Sequence, residues 1–267
     1  MKFNETRPLY ELAEIAAYLR SENGCPWDRE QDMMSLRKSL IEETYETIDA
    51  IESGDAKKIV EELGDVLYQV YAHAQIASEK NLFTIDDVAK GISEKLIRRH
   101  PHVFGDETLT TGEAVADRWE NIKKKEKAGK ESILSGVPAH LPALLKAYRV
   151  QEKTSRIGFD WKSADGVENK LEEEVAEFRE AVTKKNTEQI FEELGDVLFT
   201  IVNLSRFLKI DPEDALQQST KKFMTRFMHV ESRAKEMNRD LKDMTLAEMD
   251  ELWNEAKRLE ACAAPRG

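Results

Sequence analysis

Glu61-Glu62-Leu63-Gly64-Asp65-Val66-Leu67 recurs 131 residues later as Glu192-Glu193-Leu194-Gly195-Asp196-Val197-Leu198. The same offset carries Glu42-Glu43 onto Glu173-Glu174 and Glu46 onto Glu177. Acids make up 52 of the 267 residues, so a few coincident acids would mean little. Seven consecutive identities in register with three upstream acids are not chance. With small gaps allowed, Lys95 and Arg99 match Lys222 and Arg226, and Trp119 and Lys123 match Trp253 and Lys257. Trp27-Asp28 and Asp160-Trp161 precede the two acidic segments. The chain therefore reads as a tandem repeat, with one domain over 1–130 and a second over 131–260. Gly129, Gly136, Pro138 and Pro142 punctuate the join, and residues 261–267 are expected to form a disordered tail.

Each copy is helical. Leu36, Leu40, Thr44, Ile48 and Ile51 recur at helical spacing, as do Val60, Leu63, Leu67, Val70 and Ala74. Gly54-Asp55 stops one helix and starts the next, which predicts a hairpin of helices over 36–52 and 56–79. The second copy repeats it over 165–184 and 187–208, with the turn at Lys185-Asn186. Further helices are expected over 6–21, 84–99, 113–127, 141–155, 211–237 and 245–259, and no segment reads as a strand. The fold class is all-α, as two tandem copies of a helical bundle.

Residues three or four apart share a helix face, so Glu43 neighbours Glu46 and Glu62 neighbours Asp65. Glu43 lies at the edge of the apolar stripe, where the four acids can meet across the antiparallel hairpin. Glu174, Glu177, Glu193 and Asp196 repeat the pattern. An acid-rich helix is ordinarily a solvated face, but duplication in register argues for a function. Four crowded carboxylates need protons or cations to offset their repulsion, and hard oxygen donors suit Mg²⁺, with Mn²⁺ as an alternative. A mid-helix glycine costs about 1 kcal/mol relative to alanine. Keeping Gly64 and Gly195 beside the acids suggests a close approach of backbone, metal or ligand.

Composition narrows the function classes. A net charge of −12 repels a phosphate backbone, so general nucleic-acid binding is not expected. Cys25 and Cys262 form neither a zinc pattern nor a disulfide framework, which fits a reducing compartment. No apolar run approaches the roughly 18 residues of a membrane span, and the N-terminus has no apolar signal core. A cytoplasmic protein is expected. The chain has no Gly-x-x-x-x-Gly-Lys-Ser/Thr loop and no evident nucleophile–histidine constellation.

The pattern Glu-Glu-x-x-Glu, a spacer, then Glu-x-x-Asp resembles the signature of the all-α nucleoside triphosphate pyrophosphohydrolases. The tandem copies and the Arg98-Arg99-His100-Pro101-His102-Val103-Phe104 segment are similar to the MazG family in particular. Gly24-Cys25-Pro26-Trp27-Asp28 and Ile157-Gly158-Phe159-Asp160-Trp161 fit it as well. The resemblance implies Mg²⁺-dependent hydrolysis of nucleoside triphosphates to monophosphate and pyrophosphate, broad nucleotide specificity and a homodimer. It also implies that Glu174, Glu177, Glu193 and Asp196 bind metal, that Lys222 and Arg226 hold phosphates, and that Trp253 contacts the nucleotide. Spacing alone puts Lys222 with Arg226 and Trp253 with Lys257 on shared faces, and sets Lys170 four residues before Glu174, within reach of the phosphate site. Glu43, Glu46, Glu62 and Asp65 would form a second site.

Two other readings stand beside this one. One is a non-enzymatic helical adaptor binding cations or partners. The other is an enzyme narrow for dUTP, dCTP or phosphoribosyl-ATP. His100 and His102 read as structural or surface groups, Trp253 has a plain packing role open to it, and Glu173 is a candidate proton acceptor. The C-terminal copy is expected to carry most of the activity. Pro101 disfavours helix at the residue before it and so sets Arg99 at or near a helix end, whereas Arg226 runs on into Phe227-Met228 unbroken. The resemblance points the same way.

Overall fold

The computed structural model describes residues 7–112, 114–115, 118–119, 122 and 132–263. These are all helix, turn or loop, with no strand among them. The chain divides into two compact units, Met1–Ala128 and Gly129–Gly267.

In the first unit α1 (Pro8–Leu19) leads through a short helix, α2 (Pro26–Glu30), to the hairpin of α3 (Arg37–Ser53) and α4 (Ala56–Glu79). The hairpin turns on Gly54, whose φ of +69° is the left-handed value glycine takes without strain, and Asp55 then caps α4 by accepting from the Lys57 amide. Thr84 and Asp87 cap α5 (Ile85–Arg99) reciprocally. A single-turn helix, α6 (Pro101–Phe104), follows, and its first residue is a proline, which needs no amide donor there. α5 ends at Arg99, as expected of the segment before His100-Pro101. Leu36, Ala72 and Ile76 form the buried core with Met33 and Tyr68 against them.

Gly24 explains the first motif. A side-chain carbon there would lie 2.2 Å from the Tyr18 carbonyl oxygen and 2.3 Å from that of Leu19. Only glycine lets the chain fold back on the end of α1 and deliver Trp27-Asp28 to the hairpin.

The second unit repeats the plan with α7 (Ala143–Ser155) and the hairpin of α8 (Ala164–Lys184) and α9 (Thr187–Phe207). Lys185 takes a left-handed conformation at the turn and Asn186 caps α9 by accepting from the Gln189 amide. α10 (Pro212–Glu236) and α11 (Leu246–Ala263) pack on each other, joined by a 3₁₀ turn over Leu241–Asp243. Val230, Ala234, Met244 and Leu252 are their buried core, with Trp253 packed against it. α11 runs to Ala263, so the expected tail is corrected over 261–263: those residues continue the helix, and 264–267 lie outside the described residues. Most of the expected helix over 113–127, with Lys123, also lies outside them. No helix among the described residues is long and apolar enough to cross a membrane.

Asp211 caps α10, accepting from the amides of Glu213 and Asp214. Asp211→Ala should destabilise the chain by about 1 kcal/mol, read as a lower midpoint in urea with an unchanged slope.

Candidate functional site: two carboxylate clusters

Each hairpin gathers acids from both of its helices. In the second unit carboxylate oxygens of Glu174, Glu177 and Glu193 lie within 4.8 Å of one another. In the first unit Glu43, Glu62 and Asp65 do the same. The sequence placed four acids in each cluster; the structure brings three together and uses a different trio in each copy. Asp196 and Glu46 stand just outside, close enough to act through their charge. Partial burial, followed by the charges of Glu177, Glu174 and Asp196, pushes the Glu193 carboxyl above its usual range. Partial burial and then Asp65, Glu46 and Glu62 do so for Glu43, and burial followed by Glu46, Glu61 and Asp65 for Glu62.

The donors suit a hard divalent cation. All are carboxylate oxygens, and two oxygens on one Mg²⁺ lie at most about 4.2 Å apart, close to the separations here. Either cluster could hold a metal ion.

One of the close approaches expected at Gly64 and Gly195, that of backbone, is corrected: beyond its chain neighbours and its own helix backbone, a side-chain carbon at either position would meet no protein atom within 4 Å, so tight backbone packing does not explain these glycines.

The copies differ in how they offset their charge. Glu174 is only 6% exposed, and Lys170 Nζ lies 2.8 Å from it and 2.6 Å from Glu173. Hydrogen bonds to Glu173 and then Glu174 raise the Lys170 pKa. The sequence set Lys170 beside the phosphates; the structure sets it on the cluster itself, with Glu173 as its second partner. At the matching position of the first copy stands Ser39.

The cationic pair forms a separate group on α10 and α11. Arg226 donates to Glu260 at 2.7 and 3.0 Å and lies over the Trp253 ring, 5.7 Å from its centroid. Trp253 also meets Phe223, with ring centroids 4.9 Å apart, so it combines core packing with an open edge. Lys222 and Lys257 are exposed. The first copy keeps the same arginine–tryptophan contact, with Arg99 5.5 Å from the Trp119 ring centroid. His100 meets Trp119 edge-on there and donates from Nδ1 to the Leu96 carbonyl, a structural role.

Sequence reasoning missed the partners of these groups. Glu260 had no repeat to mark it. Arg20 was missed too: it grips Glu79 through two nitrogens at 2.8 Å and donates to the carbonyls of Asp28 and Gln31, so it fixes the loop before α3. The motif aspartates share one task, since Asp28 accepts from the Tyr68 hydroxyl and Asp160 from Arg206. Each ties its tryptophan-bearing segment to the second helix of the hairpin.

Residues 31–104 and 163–231 each match the MazG nucleotide pyrophosphohydrolase domain. The chain belongs to the MazG family. It is 48% identical over 248 residues to the nucleoside triphosphate pyrophosphohydrolase/pyrophosphatase MazG of Thermotoga maritima, covering 92% of this chain and 94% of that one. It is 41% identical over 256 residues to the nucleoside triphosphate pyrophosphohydrolase of Escherichia coli K12, covering 93% and 97%. The Bacillus subtilis protein YabN is 49% identical over 248 residues, which span 92% of this chain and 51% of YabN. Both MazG domain matches contain a whole acidic hairpin, whereas Trp253, Lys257 and Trp119 fall outside them.

Lys170→Met leaves Glu174 with a nearly buried charge and no cation beside it. The variant should melt below the wild type in a chelator, and a saturating divalent cation should narrow the gap. An equal gap in both buffers would mean that the cluster takes up no cation.

Proposed function

We propose that this chain is a Mg²⁺-dependent hydrolase that converts nucleoside triphosphates to monophosphate and pyrophosphate, with broad nucleotide specificity. The observation that carries the reading is the duplicated carboxylate cluster inside a MazG domain. Relatives that this chain covers almost end to end are named for the same activity. The adaptor reading does not account for them.

Glu174, Glu177, Glu193 and Asp196 would hold the metal, with Mn²⁺ an alternative occupant. Bound there, it would lower the pKa of a water and stabilise charge on the phosphoryl group. The chain's own residues supply the rest. Lys170 spans Glu173 and Glu174, and with Glu174 engaged by the metal its ammonium would turn towards phosphate oxygens and leave Glu173 Oε1 open to accept a proton. Lys222 and Arg226 offset the charge of the departing pyrophosphate, and Arg226 exchanges Glu260 for it. Trp253, with Lys257 one turn on, offers a ring plane to the base. Stacking reads a π-face that every base has, which supports broad specificity; a panel of triphosphates including dUTP and dCTP separates it from a narrow enzyme.

The C-terminal copy carries most of the turnover in this reading. Arg226 lies in mid-helix, ten residues before α10 ends, whereas Arg99 is the last residue of α5. Charge held in place before reaction is what phosphoryl transfer needs. Glu193→Gln with Asp196→Asn should abolish pyrophosphate release from a folded chain, while Glu62→Gln with Asp65→Asn should retain most of it. Equal losses would overturn the ranking of the two sites. Lack of pyrophosphate release by the wild type with Mg²⁺ would overturn the activity.

We place the chain in the cytoplasm as a homodimer with no general affinity for nucleic acid. Each hairpin leaves large apolar side chains in solvent, Val60 at 72% exposure in one copy and Phe191 at 82% at the matching position of the other. A second chain can cover such faces. Light scattering at micromolar concentration should give twice the mass of the chain, and a pure monomer would reject the dimer.

A further inference from the structure

The four helices of the two hairpins share one spacing. On each, two acids three residues apart follow a residue one turn upstream. These are Ser39 before Glu43 and Glu46 on α3, and Lys58 before Glu62 and Asp65 on α4. In the second copy they are Lys170 before Glu174 and Glu177 on α8, and Gln189 before Glu193 and Asp196 on α9. At about 100° per residue the upstream residue lies within roughly 40° of both acids, so it shares their face. Each hairpin thus places one lysine and one neutral residue above its acids. The lysine is on the second helix of the first hairpin and on the first helix of the second.

The converging trios divide in the same way. The first copy brings together both acids of α4 and one of α3, and the second brings together both acids of α8 and one of α9. In both copies the helix that turns two carboxylates into the seam is the helix that carries the lysine. Glu46 and Asp196, which stand outside, belong to the helices led by Ser39 and Gln189.

Acids three apart on one helix face repel each other, and a cation one turn away offsets that repulsion for its own pair first. Lys170 does so by direct contact, with Nζ 2.8 Å from the nearly buried Glu174. Lys58 does so at longer range. It is exposed and forms no ion pair among the described residues. Its charge still draws the Glu62 carboxyl down, against the upward push of burial and of Glu46, Glu61 and Asp65.

We infer that one lysine in each hairpin, Lys58 in the first copy and Lys170 in the second, is the resident counter-charge of its carboxylates and sets which helix gives two acids to the cluster. Both are positioning residues that act through the acids. Only the second test below rests on the metal reading.

The first test exchanges two side chains in the full chain. Lysine and glutamine have similar helix propensity, so Lys170→Gln with Gln189→Lys moves the charge from α8 to α9 at unchanged composition. In a chelator, Lys170→Gln alone should melt several degrees below the wild type, and the exchanged chain should recover most of that loss. No recovery would overturn the inference. Lys58 is exposed, so Lys58→Gln does not threaten the fold. It too should melt lower in a chelator, with the gap closing at saturating Mg²⁺. An unchanged midpoint would make Lys58 an ordinary solvated lysine and overturn its assignment.

The second test titrates Mn²⁺ alone, with the first cluster disabled by Glu62→Gln and Asp65→Asn. In that chain Glu177→Gln should weaken Mn²⁺ binding about tenfold more than Asp196→Asn. With the lysine moved to α9 the order should reverse, because the trio becomes Glu174, Glu193 and Asp196. The same order on both backgrounds would overturn the inference. A wild-type chain that takes up no Mn²⁺ removes the metal reading, and the melting temperatures then decide the role of the lysines by themselves.

Discussion

Repulsion among carboxylates on paired helices is the constraint on which the rest depends. A hairpin that sets three acid oxygens within 4.8 Å of one another, twice in one chain, works against its own folding. Exposed charges would relax into water, but Glu174 is almost fully buried, and Glu43, Glu62 and Glu193 are sheltered enough that their carboxyls titrate high. A cation beside the acids offsets that repulsion. In the second copy one is built in as Lys170. In the first copy serine occupies that position and the lysine stands on the other helix, as Lys58. The same duplicated hairpin has thus been furnished in two ways, and this asymmetry is why the copies need not do the same work.

Much of the fold was legible in the sequence because its causes are local. Apolar spacing marked the long helices, Gly54 and Lys185-Asn186 marked the hairpin turns, and the repeat fixed the register of one hairpin against the other. The helix end at Arg99 followed from the proline two residues on. Short elements were less legible. α6 and the 3₁₀ turn are too brief for periodicity, and α11 outran its expected end because nothing in Ala261-Cys262-Ala263 breaks a helix.

The site divides along the same line. Acids three apart on one helix had to be neighbours, so the clusters were readable. Which three of the four would converge was not, since that depends on how the two helices of each hairpin are rotated against each other. Partners drawn from distant parts of the chain were invisible as well: Glu260 on Arg226 and Arg20 on Glu79. At the glycines beside the acids, the approach of backbone was over-read. Their lack of a side chain leaves open space, which no spacing rule could reveal.

Cation uptake by the carboxylates tests the central claim most directly. Free Mn²⁺ gives a paramagnetic resonance signal that is lost on binding, so titrating the full chain counts the sites without relying on any substrate. The expected result is a saturable loss of signal with sites on both hairpins, reversed by excess Mg²⁺. A signal that rises in proportion to added Mn²⁺ from the first addition would contradict metal binding at the clusters.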